Sequence, residues 1–332
     1  MFTCDTTFGT AQELSPGCTS LMRHASHTSG VRITGSSVIT GWGVGLHSLP
    51  AHASAAANGC RILPIAAPTM ADERLRRATR ECVLAVSVVE QALASCMLLG
   101  SDVAGSRTAI VYASAAAYAA ANWAFLVDDK DSTLFFPYTA PSAVPGEVTI
   151  HFGMTGPYLS LLSGANASIE ALWQAAMLLT NDQCDRALVL GVETFLGCEE
   201  IYTSGRWLLR SPLVEAAVCI ILERQAGLGD MRYSAGSENG VALLDAVLGN
   251  QVPTAIQLCL PTAKEESALL PQLQARWPDT LMSLVGERIG NCLASTTLIG
   301  LLLALAEGRQ GNVVLISRWW DTWSVLSWPS AC

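Results

Sequence analysis

The sequence predicts an α/β fold in which buried strands alternate with long helices in layers. Runs of β-branched and apolar residues at 108–112, 186–191 and 215–223 are typical of buried strands. The longer segments between them carry apolar residues at helical spacing, and this alternation indicates layered α/β architecture. The chain has 332 residues, 51% hydrophobic and 14% charged, so it can bury a large core as one domain or as two halves that share an interface.

The first half of the chain predicts a regular succession of elements. A strand at 31–35 leads into a Gly-rich stretch, and Asp72 is the predicted cap of a long helix that runs through Leu99. Four arginines near the start of this helix oppose its macrodipole, and we expect them to pair with acidic neighbours, namely Asp72, Glu73 and Glu81. The later elements are a strand at 108–112, an Ala-rich helix to about 127, a Pro-punctuated segment at 136–147, a strand at 158–162, a helix at 167–179, and strands at 186–191 and 215–223.

A composition break at 224–240 divides the chain. We expect a flexible N-terminal tail over residues 1–29, an N-terminal half over 30–223 and a shortened C-terminal half over 224–332. The second half contains apolar segments at 241–248, 255–260 and 282–285, a corner at 286–291, a helix at 292–307 and a strand at 312–317. Each half thus has a strand, a Gly-containing corner and an apolar helix, which indicates a weak internal duplication.

The corner at 163–166 is the most informative stretch. The strand before it turns sharply into the helix after it, so the corner lies at a helix N-terminus, where free N–H groups favour developing negative charge. Enzymes place nucleophiles at such corners, but this one holds Ala165.

Charge and cysteine content exclude several function classes. With 28 acidic and 19 basic residues, the chain has no basic surface for nucleic acid and no reason to bind an anionic membrane. Its eleven cysteines lie mostly in apolar contexts and form no C-x-x-C pair, which indicates reduced thiols in the cytoplasm. Cys4, Cys18, His24 and His27 fit no common zinc spacing, so we expect neither a metal nor a cofactor.

We expect a cytoplasmic protein without a membrane span. Residues 1–30 lack the apolar core of a secretory signal. The uncharged stretch at 108–127 is mostly alanine and small polar residues, and the apolar stretch at 293–306 is too short to span a bilayer.

Three motifs resemble the β-ketoacyl synthase family over residues 30–318. Phe152-Gly153-x-x-Gly156-Pro157, followed by the corner and by Ala171-Leu172-x-x-Ala175 and Asp185-Arg-Ala-Leu-Val-Leu-Gly-Val-Glu193, is similar to the nucleophile region of the family. Gly290-Asn291-Cys-Leu-Ala294-Ser295 is similar to its Gly-His-x-x-x-Ala-Ala corner, and the stretch at 31–45 to its first strand. The resemblance implies a thiolase-like five-layer α-β-α-β-α fold made of two similar halves, dimeric through strands near the nucleophile.

The family uses a cysteine, two histidines and a Gly-rich oxyanion loop, and this sequence departs from that pattern at each position. The cysteine position falls on Ala165, the second histidine on Asn291, and the first histidine near Leu258. No histidine follows His151, and the family's lysine position falls near Gly286. The Gly-rich loop is replaced by Arg-Trp-Trp-Asp-Thr-Trp at 318–323. The resemblance therefore implies a catalytically silent member.

Substitute nucleophiles are Ser163, Ser168 and Cys198, with His151 as the one histidine near them in sequence. A serine needs an adjacent base, and we expect His151 to be a core or interface residue instead. A thiolase-fold acyltransferase or synthase with a non-standard nucleophile is one alternative to a silent subunit. A homodimeric scaffold that binds acyl chains is the other.

A silent relative of this family resembles the chain-length factor of type II polyketide synthases. Such a subunit forms a heterodimer with a catalytic β-ketoacyl synthase and helps shape the acyl-chain tunnel, while the acidic acyl carrier protein docks mainly on the partner. The shortened second half is similar to the partner subunits of systems that make aryl polyenes. The candidate tunnel or interface residues are Tyr118, Trp123, Phe125, Phe135, Phe136 and Met154.

Four tryptophans near the C-terminus indicate burial against another surface. They are Trp319, Trp320, Trp323 and Trp328. Either the chain's own vacant catalytic cavity or a partner could cover them.

Overall fold

A computed structural model describes residues 26–66, 73–116, 119–127, 136–204, 211–309 and 311–330 of the chain. In these residues the backbone forms two six-stranded mixed sheets, a two-stranded sheet, and helices packed against the sheets. The structural statements below concern these ranges.

The first six-stranded sheet has the order β3-β2-β9-β7-β5-β6. Its strands are β2 (Val31–Thr40), β3 (Gly43–Val44), β5 (Thr108–Ala113), β6 (Tyr158–Leu161), β7 (Arg186–Glu193) and β9 (Ala216–Arg224). β6, β5 and β7 run parallel, whereas β9 is antiparallel to both β7 and β2. β6 therefore forms one edge of the sheet.

The second six-stranded sheet has the order β1-β10-β14-β13-β11-β12. Its strands are β1 (Ser26–Ser29), β10 (Asp230–Gly236), β11 (Ala255–Cys259), β12 (Leu281–Leu284), β13 (Gly311–Trp319) and β14 (Thr322–Ser330). The two-stranded parallel sheet joins β4 (Ile62–Leu63) to β8 (Leu213–Val214).

The α-helices differ widely in length. They are α1 (Ala53–Ala56), α2 (Arg80–Ser95), α3 (Ala119–Val127), α4 (Ala143–Phe152), α5 (Ala167–Thr180), α6 (Glu199–Ser204), α7 (Gly240–Leu248), α8 (Ala263–Arg276), α9 (Val285–Ile289) and α10 (Ser295–Ala306). Short 3-10 helices precede several of them, including Glu73–Arg77, Phe136–Thr139 and Gly164–Asn166.

The helices and the two large sheets stack in five layers. α2 and α4 cover the outer face of the first sheet, α5 and α10 lie between the sheets, and α7 and α8 cover the outer face of the second sheet. This arrangement confirms the α-β-α-β-α architecture that the sequence predicts.

Side-chain alternation along the strands builds these layers. In β5, Ile110 and Tyr112 point into the outer core with α2, whereas Ala109 and Val111 point toward the helices between the sheets. A strand that is buried on both faces has a continuous apolar sequence, since its side chains alternate between two cores. The sequence at 108–113 therefore lacks the alternation of polar and apolar residues that a half-exposed strand has.

Two predicted boundaries differ from the structure. Ser26–Ser29, within the predicted tail, forms a strand paired with β10, and residues 1–25 lie outside the described ranges. Asp72, the predicted cap of the long helix, lies outside the described residues. From residue 73 the predicted helix is a 3-10 turn at Glu73–Arg77 followed by α2, which ends at Ser95, because Thr79 is extended with φ −68° and ψ 162°.

The arginines at the start of α2 divide between two roles. Arg76 pairs with Glu73 as expected, at 2.9 Å, but Arg80 reaches across the fold to Glu215, at 2.8 Å. Glu215 is fully buried and also accepts the backbone N–H groups of Ile65, Phe195 and Leu196 at 2.8 Å each. Arg80 therefore neutralises a buried carboxylate that ties three segments together.

Of the helices in the described part of the chain, none has both the length and the apolar character needed to cross a membrane. The cysteines seen there are all free, most of them buried, with Cys60 exposed and Cys96 half-buried.

Candidate functional site

The corner between β6 and α5 contains no nucleophilic side chain at its buried position. Gly164–Asn166 forms a 3-10 turn, and Ala165 is 3% exposed at its centre. Gly164 has φ +64°, and a β-carbon built on it would lie 2.2 Å from Cε2 of Trp319. Glycine is therefore required at position 164 for two reasons: the positive φ of its backbone and the close packing of the Trp319 indole.

The β13–β14 hairpin of the second half covers this corner. Ser317 Oγ donates a hydrogen bond to the carbonyl oxygen of Ala165 at 3.1 Å, and Asn166 Nδ2 donates to the carbonyl oxygen of Thr322 at 3.0 Å. Trp320, at the tip of the hairpin, has φ +57°. The space beside Ala165 is therefore occupied by the chain's own hairpin.

The C-terminal tryptophans have three different environments. Trp319 lies on the corner, whereas Trp323 and Trp328 are buried in the outer and central cores. The guanidinium of Arg318 stacks over the ring of Trp323 at 5.0 Å. Trp320 is 81% exposed, so it is the one of the four that remains available to a partner.

Asn291 lies at the corresponding corner of the second half, and its amide is fixed by local hydrogen bonds. Its Nδ2 donates to the carbonyl oxygen of Pro261 at 3.2 Å, and its Oδ1 accepts from the backbone N–H of Leu293 at 2.9 Å. Its own backbone N–H donates to Pro212 and its carbonyl accepts from Val214. Asn291 thus holds a loop together, and an amide cannot exchange protons near neutral pH.

A cavity of about 300 Å³ opens beside Asn291. It is lined by His52, Ser54, Ser211, Leu260, Pro261, Thr262, Glu266, Gly286, Glu287 and Asn291. Leu260 and Gly286 stand on its wall, so no histidine or lysine faces Asn291 from those positions.

Leu258, the position predicted for the first histidine, does not line this cavity. It is fully buried in the outer core of the second sheet with Ile256 and Ile316. Leu260, two residues later and beyond the end of β11, does line the cavity.

A buried glutamate near these corners escaped the sequence reasoning. Glu193 Oε1 accepts the backbone N–H groups of Ala115, at 2.6 Å, and Ala294, at 3.3 Å. Its Oε2 accepts the N–H of Ala116 at 2.9 Å and lies 3.3 Å from Ser114 Oγ. Burial raises the pKa of Glu193 to about 8, against the lowering effect of these donors. The available signal was an acidic residue ending a fully apolar strand.

The substitute nucleophiles differ in their surroundings. Ser163 Oγ donates to Glu170 Oε2 at 2.5 Å, and burial raises the pKa of Glu170. Ser168 is fully buried, and burial raises the pKa of Cys198 to about 12, so neither is a nucleophile at neutral pH. His151 lies in α4, where its Nε2 is 3.4 Å from Glu90, in the outer layer of the first half.

The predicted tunnel residues do not form one group. Trp123 and Phe136 are exposed, and the rings of Phe125 and Phe136 are 5.7 Å apart. Met154 is buried in the outer core with Val148, away from this aromatic group. Tyr118 and Phe135 lie outside the described residues.

In the described ranges no set of three or more His, Cys, Asp or Glu side chains is arranged to hold a metal ion.

Comparison with known proteins gives one family match and many structural matches. Residues 66–213 match the family model described as the N-terminal domain of β-ketoacyl synthases. No curated protein matches the chain significantly.

The structural matches cover nearly the whole chain. The ishigamide ketosynthase/chain length factor is 16% identical with a TM-score of 0.70, over 90% of this chain and 99% of that one. A type II polyketide synthase ketosynthase, solved with its acyl carrier protein and bound to the hexaketide, is 14% identical with a TM-score of 0.74, over 92% and 100%. A β-ketoacyl synthase from Burkholderia phymatum STM815 is 14% identical with a TM-score of 0.70, over 91% and 100%.

Proposed function

We propose that the protein is a silent, chain-length-factor-like subunit, because residues 66–213 match the N-terminal domain of β-ketoacyl synthases and the chain has the thiolase-like ketosynthase fold. It pairs with an active β-ketoacyl synthase in type II polyketide biosynthesis and shapes the acyl-chain tunnel of the heterodimer. We further propose that the biosynthetic system makes aryl polyenes, and the shortened second half of the chain is the feature that supports this product class.

The proposal rests mainly on one observation, that the corner between β6 and α5 holds Ala165 in place of a nucleophile. An acyl thioester with the enzyme requires a thiolate, and Ala165 has none. The buried thiols of the central layers are poor substitutes, since burial raises the pKa of Cys259 to about 12 and that of Cys292 further. Trp319 also packs directly on Gly164, next to Ala165.

The edge of the first sheet supports pairing with another subunit. β6 is an edge strand, and Leu162, just beyond it, is 42% exposed. Tyr158 is partly exposed on the same strand and donates a hydrogen bond to the carbonyl oxygen of Ser142 at 2.5 Å. An unpaired edge with exposed apolar side chains is a surface that soluble proteins normally cover.

The aromatic group beside this edge supports a role in the tunnel. The ring pair of Phe125 and Phe136 joins α3 to the 3-10 turn at Phe136–Thr139, which leads into the segment that Tyr158 contacts, and Trp123 is exposed on α3. Side chains at a subunit interface can line a tunnel that runs along it. We include Tyr118 and Phe135 in the proposal, and exclude Met154 because it is part of the outer core.

The net charge of the chain supports docking of the acyl carrier protein on the partner subunit. With a net charge of −9, the subunit repels an acidic acyl carrier protein over most of its surface. We therefore assign carrier docking mainly to the catalytic ketosynthase.

The test is co-expression with the ketosynthase of its own biosynthetic system, followed by size analysis and intact-mass analysis after incubation with an acyl donor. We expect a 1:1 heterodimer in which only the ketosynthase gains the mass of the acyl group. A stable homodimer that ignores the ketosynthase would instead support the acyl-binding scaffold.

The Ser163–Glu170 pair favours one alternative, a thiolase-fold acyltransferase that uses serine. The 2.5 Å hydrogen bond joins the Ser163 hydroxyl to the Glu170 carboxylate, and burial raises the pKa of that carboxylate. Under this alternative the subunit alone gains an acyl group on Ser163, and Ser163→Ala abolishes the adduct.

A further inference from the structure

The cavity beside Asn291 contains a buried carboxylate that has no partner in the described residues. Glu266, in the first turn of α8, is 6% exposed and lines the cavity. Its Oε1 faces Gly286, where a built β-carbon would lie 3.7 Å away. No hydrogen bond or ion pair to this carboxylate is formed within the described ranges. Buried carboxylates are normally paired or hydrogen-bonded, so this one needs an explanation.

The neighbouring charges are also negative. Glu287, in the first turn of α9, lines the same cavity, and Glu265 is adjacent in α8. Burial, together with these two carboxylates, raises the pKa of Glu266 to about 7. The guanidinium of Arg318 pairs with Glu265 at 3.3 Å. Two carboxylates, Glu266 and Glu287, thus line the cavity together with His52.

Two of the polar groups that line the cavity are already hydrogen-bonded elsewhere. The Asn291 amide bonds to Pro261 and Leu293. The hydroxyl of Thr262 donates to Glu265 Oε2 at 2.9 Å and caps the helix. Neither group can satisfy Glu266 without breaking a bond that it already makes.

We propose that this cavity binds a small organic cation, a guanidinium or a primary alkylammonium group, with Glu266 as the ion-pair partner and Glu287 at the rim. These groups offer several N–H donors to carboxylates, and such charge-assisted bonds are strong when buried. A volume of about 300 Å³ suits a small ligand or one long side chain. A metal ion is disfavoured, since the side chains described here include no cluster of ligands able to hold one.

The proposal does not depend on pairing with a ketosynthase. The cation could be a free amine or an arginine or lysine side chain of another protein, because both present the same groups. These two sources can be separated by experiment.

Isothermal titration of the full chain with agmatine, which carries a guanidinium and an amine, tests the site. The neutral N-butylurea is the matched probe. We expect 1:1 binding of agmatine, at least tenfold weaker binding to Glu266→Gln, and unchanged binding to Glu238→Gln, a change on an exposed carboxylate. Equal affinity of Glu266→Gln, binding of N-butylurea as tightly as agmatine, or absence of agmatine binding would overturn the proposal.

Thermal unfolding supplies a second readout that does not depend on affinity alone. Removing an unpaired buried charge should raise the unfolding temperature of Glu266→Gln without ligand, and the rise that agmatine causes in the wild type should be lost. If the variant unfolds at a lower temperature, the carboxylate has a structural partner and the site is not a cation site.

The heterodimer distinguishes the two sources. If a partner's side chain fills the cavity, agmatine binding disappears in the complex and Glu266→Gln weakens the complex itself. If the ligand is a free amine, agmatine binds the complex and the isolated subunit alike.

Discussion

The indole of Trp319 packs against Gly164 so closely that a β-carbon on that glycine would meet Cε2 at 2.2 Å. This contact joins the end of β13, in the second half, to the corner that precedes α5, in the first. The hydrogen bond from Ser317 to the carbonyl of Ala165 reinforces it. The corner that holds Ala165 is thus covered by the hairpin of the second half, through Trp319 and Ser317.

Restoring a cysteine at the corner should therefore not restore reactivity. In Ala165→Cys the thiol would be buried under the hairpin, so its pKa would be high and reagents would have little access. We expect alkylation of this thiol by iodoacetamide at least tenfold more slowly than that of the exposed Cys60, measured by peptide mass analysis. The double variant with Trp319→Ala should react faster than Ala165→Cys. Equal rates in the single and double variants would show that Trp319 does not shield the corner.

Replacing Glu193 should loosen the junction between the halves. The carboxylate accepts N–H groups from Ala115 and Ala116 in the first half and from Ala294 in the second. In Glu193→Gln the amide NH2 would face one of these donors, which costs about 1–3 kcal/mol of the free energy of unfolding. Urea unfolding at pH 5 measures the loss, with Glu238→Gln as the surface control.

The pH dependence of that loss tests the state of the carboxyl group. The pKa of Glu193 is about 8 in the folded protein, above the value of 4.5 for a free glutamate, so the folded state holds its proton more tightly. Stability from this group is complete below pH 4.5 and falls as the pH rises toward 8, by at most ~1.4 kcal/mol per pH unit. Glutamine does not titrate, so the difference between wild type and Glu193→Gln should narrow between pH 5 and 8. A difference that widens would mean that the N–H donors keep the carboxylate ionised.

Sequence reasoning located the elements that are defined by local patterns. The strand, corner and helix at 158–179 correspond to β6, the turn at Gly164–Asn166 and α5, because each has its own apolar spacing and a glycine at the break. β10 and β14 were missed. β10 is largely polar and lay in the predicted composition break, and it becomes a strand because β1 and β14 pair with its two edges.

At the candidate site, too, residue types could be predicted from the sequence, whereas contacts between distant residues could not. Residue type alone shows that alanine stands at position 165 and that no histidine follows His151. The pairing of Glu193 with Ala294 and the packing of Trp319 on Gly164 could not be predicted in this way, since both join residues more than a hundred positions apart and depend on how the sheets stack.

The edge of the first sheet should be needed for pairing with the ketosynthase. Leu162→Lys places a charge beside the free edge of β6, where a partner strand would have to bury it. We expect loss of the heterodimer in size analysis, with unchanged unfolding of the subunit alone. Val252→Lys, the same kind of change at an exposed apolar residue of the second half, should leave the complex intact. A heterodimer that survives Leu162→Lys would place the interface elsewhere.

Product length should respond to the aromatic group at Trp123 if this group lines the tunnel. Trp123→Ala removes a large exposed ring from α3, the helix that also carries Phe125. The tunnel would gain space, and the products of the heterodimer should be longer by one or more extension units. Trp320→Ala is the matched control, since Trp320 is also an exposed tryptophan but lies on the hairpin of the second half. Chromatography with mass detection of the polyketides reads out both variants. If Trp123→Ala and Trp320→Ala give the same product lengths as the wild type, Trp123 has no part in the tunnel, whereas a change with Trp320→Ala alone would move the length-setting surface to the hairpin.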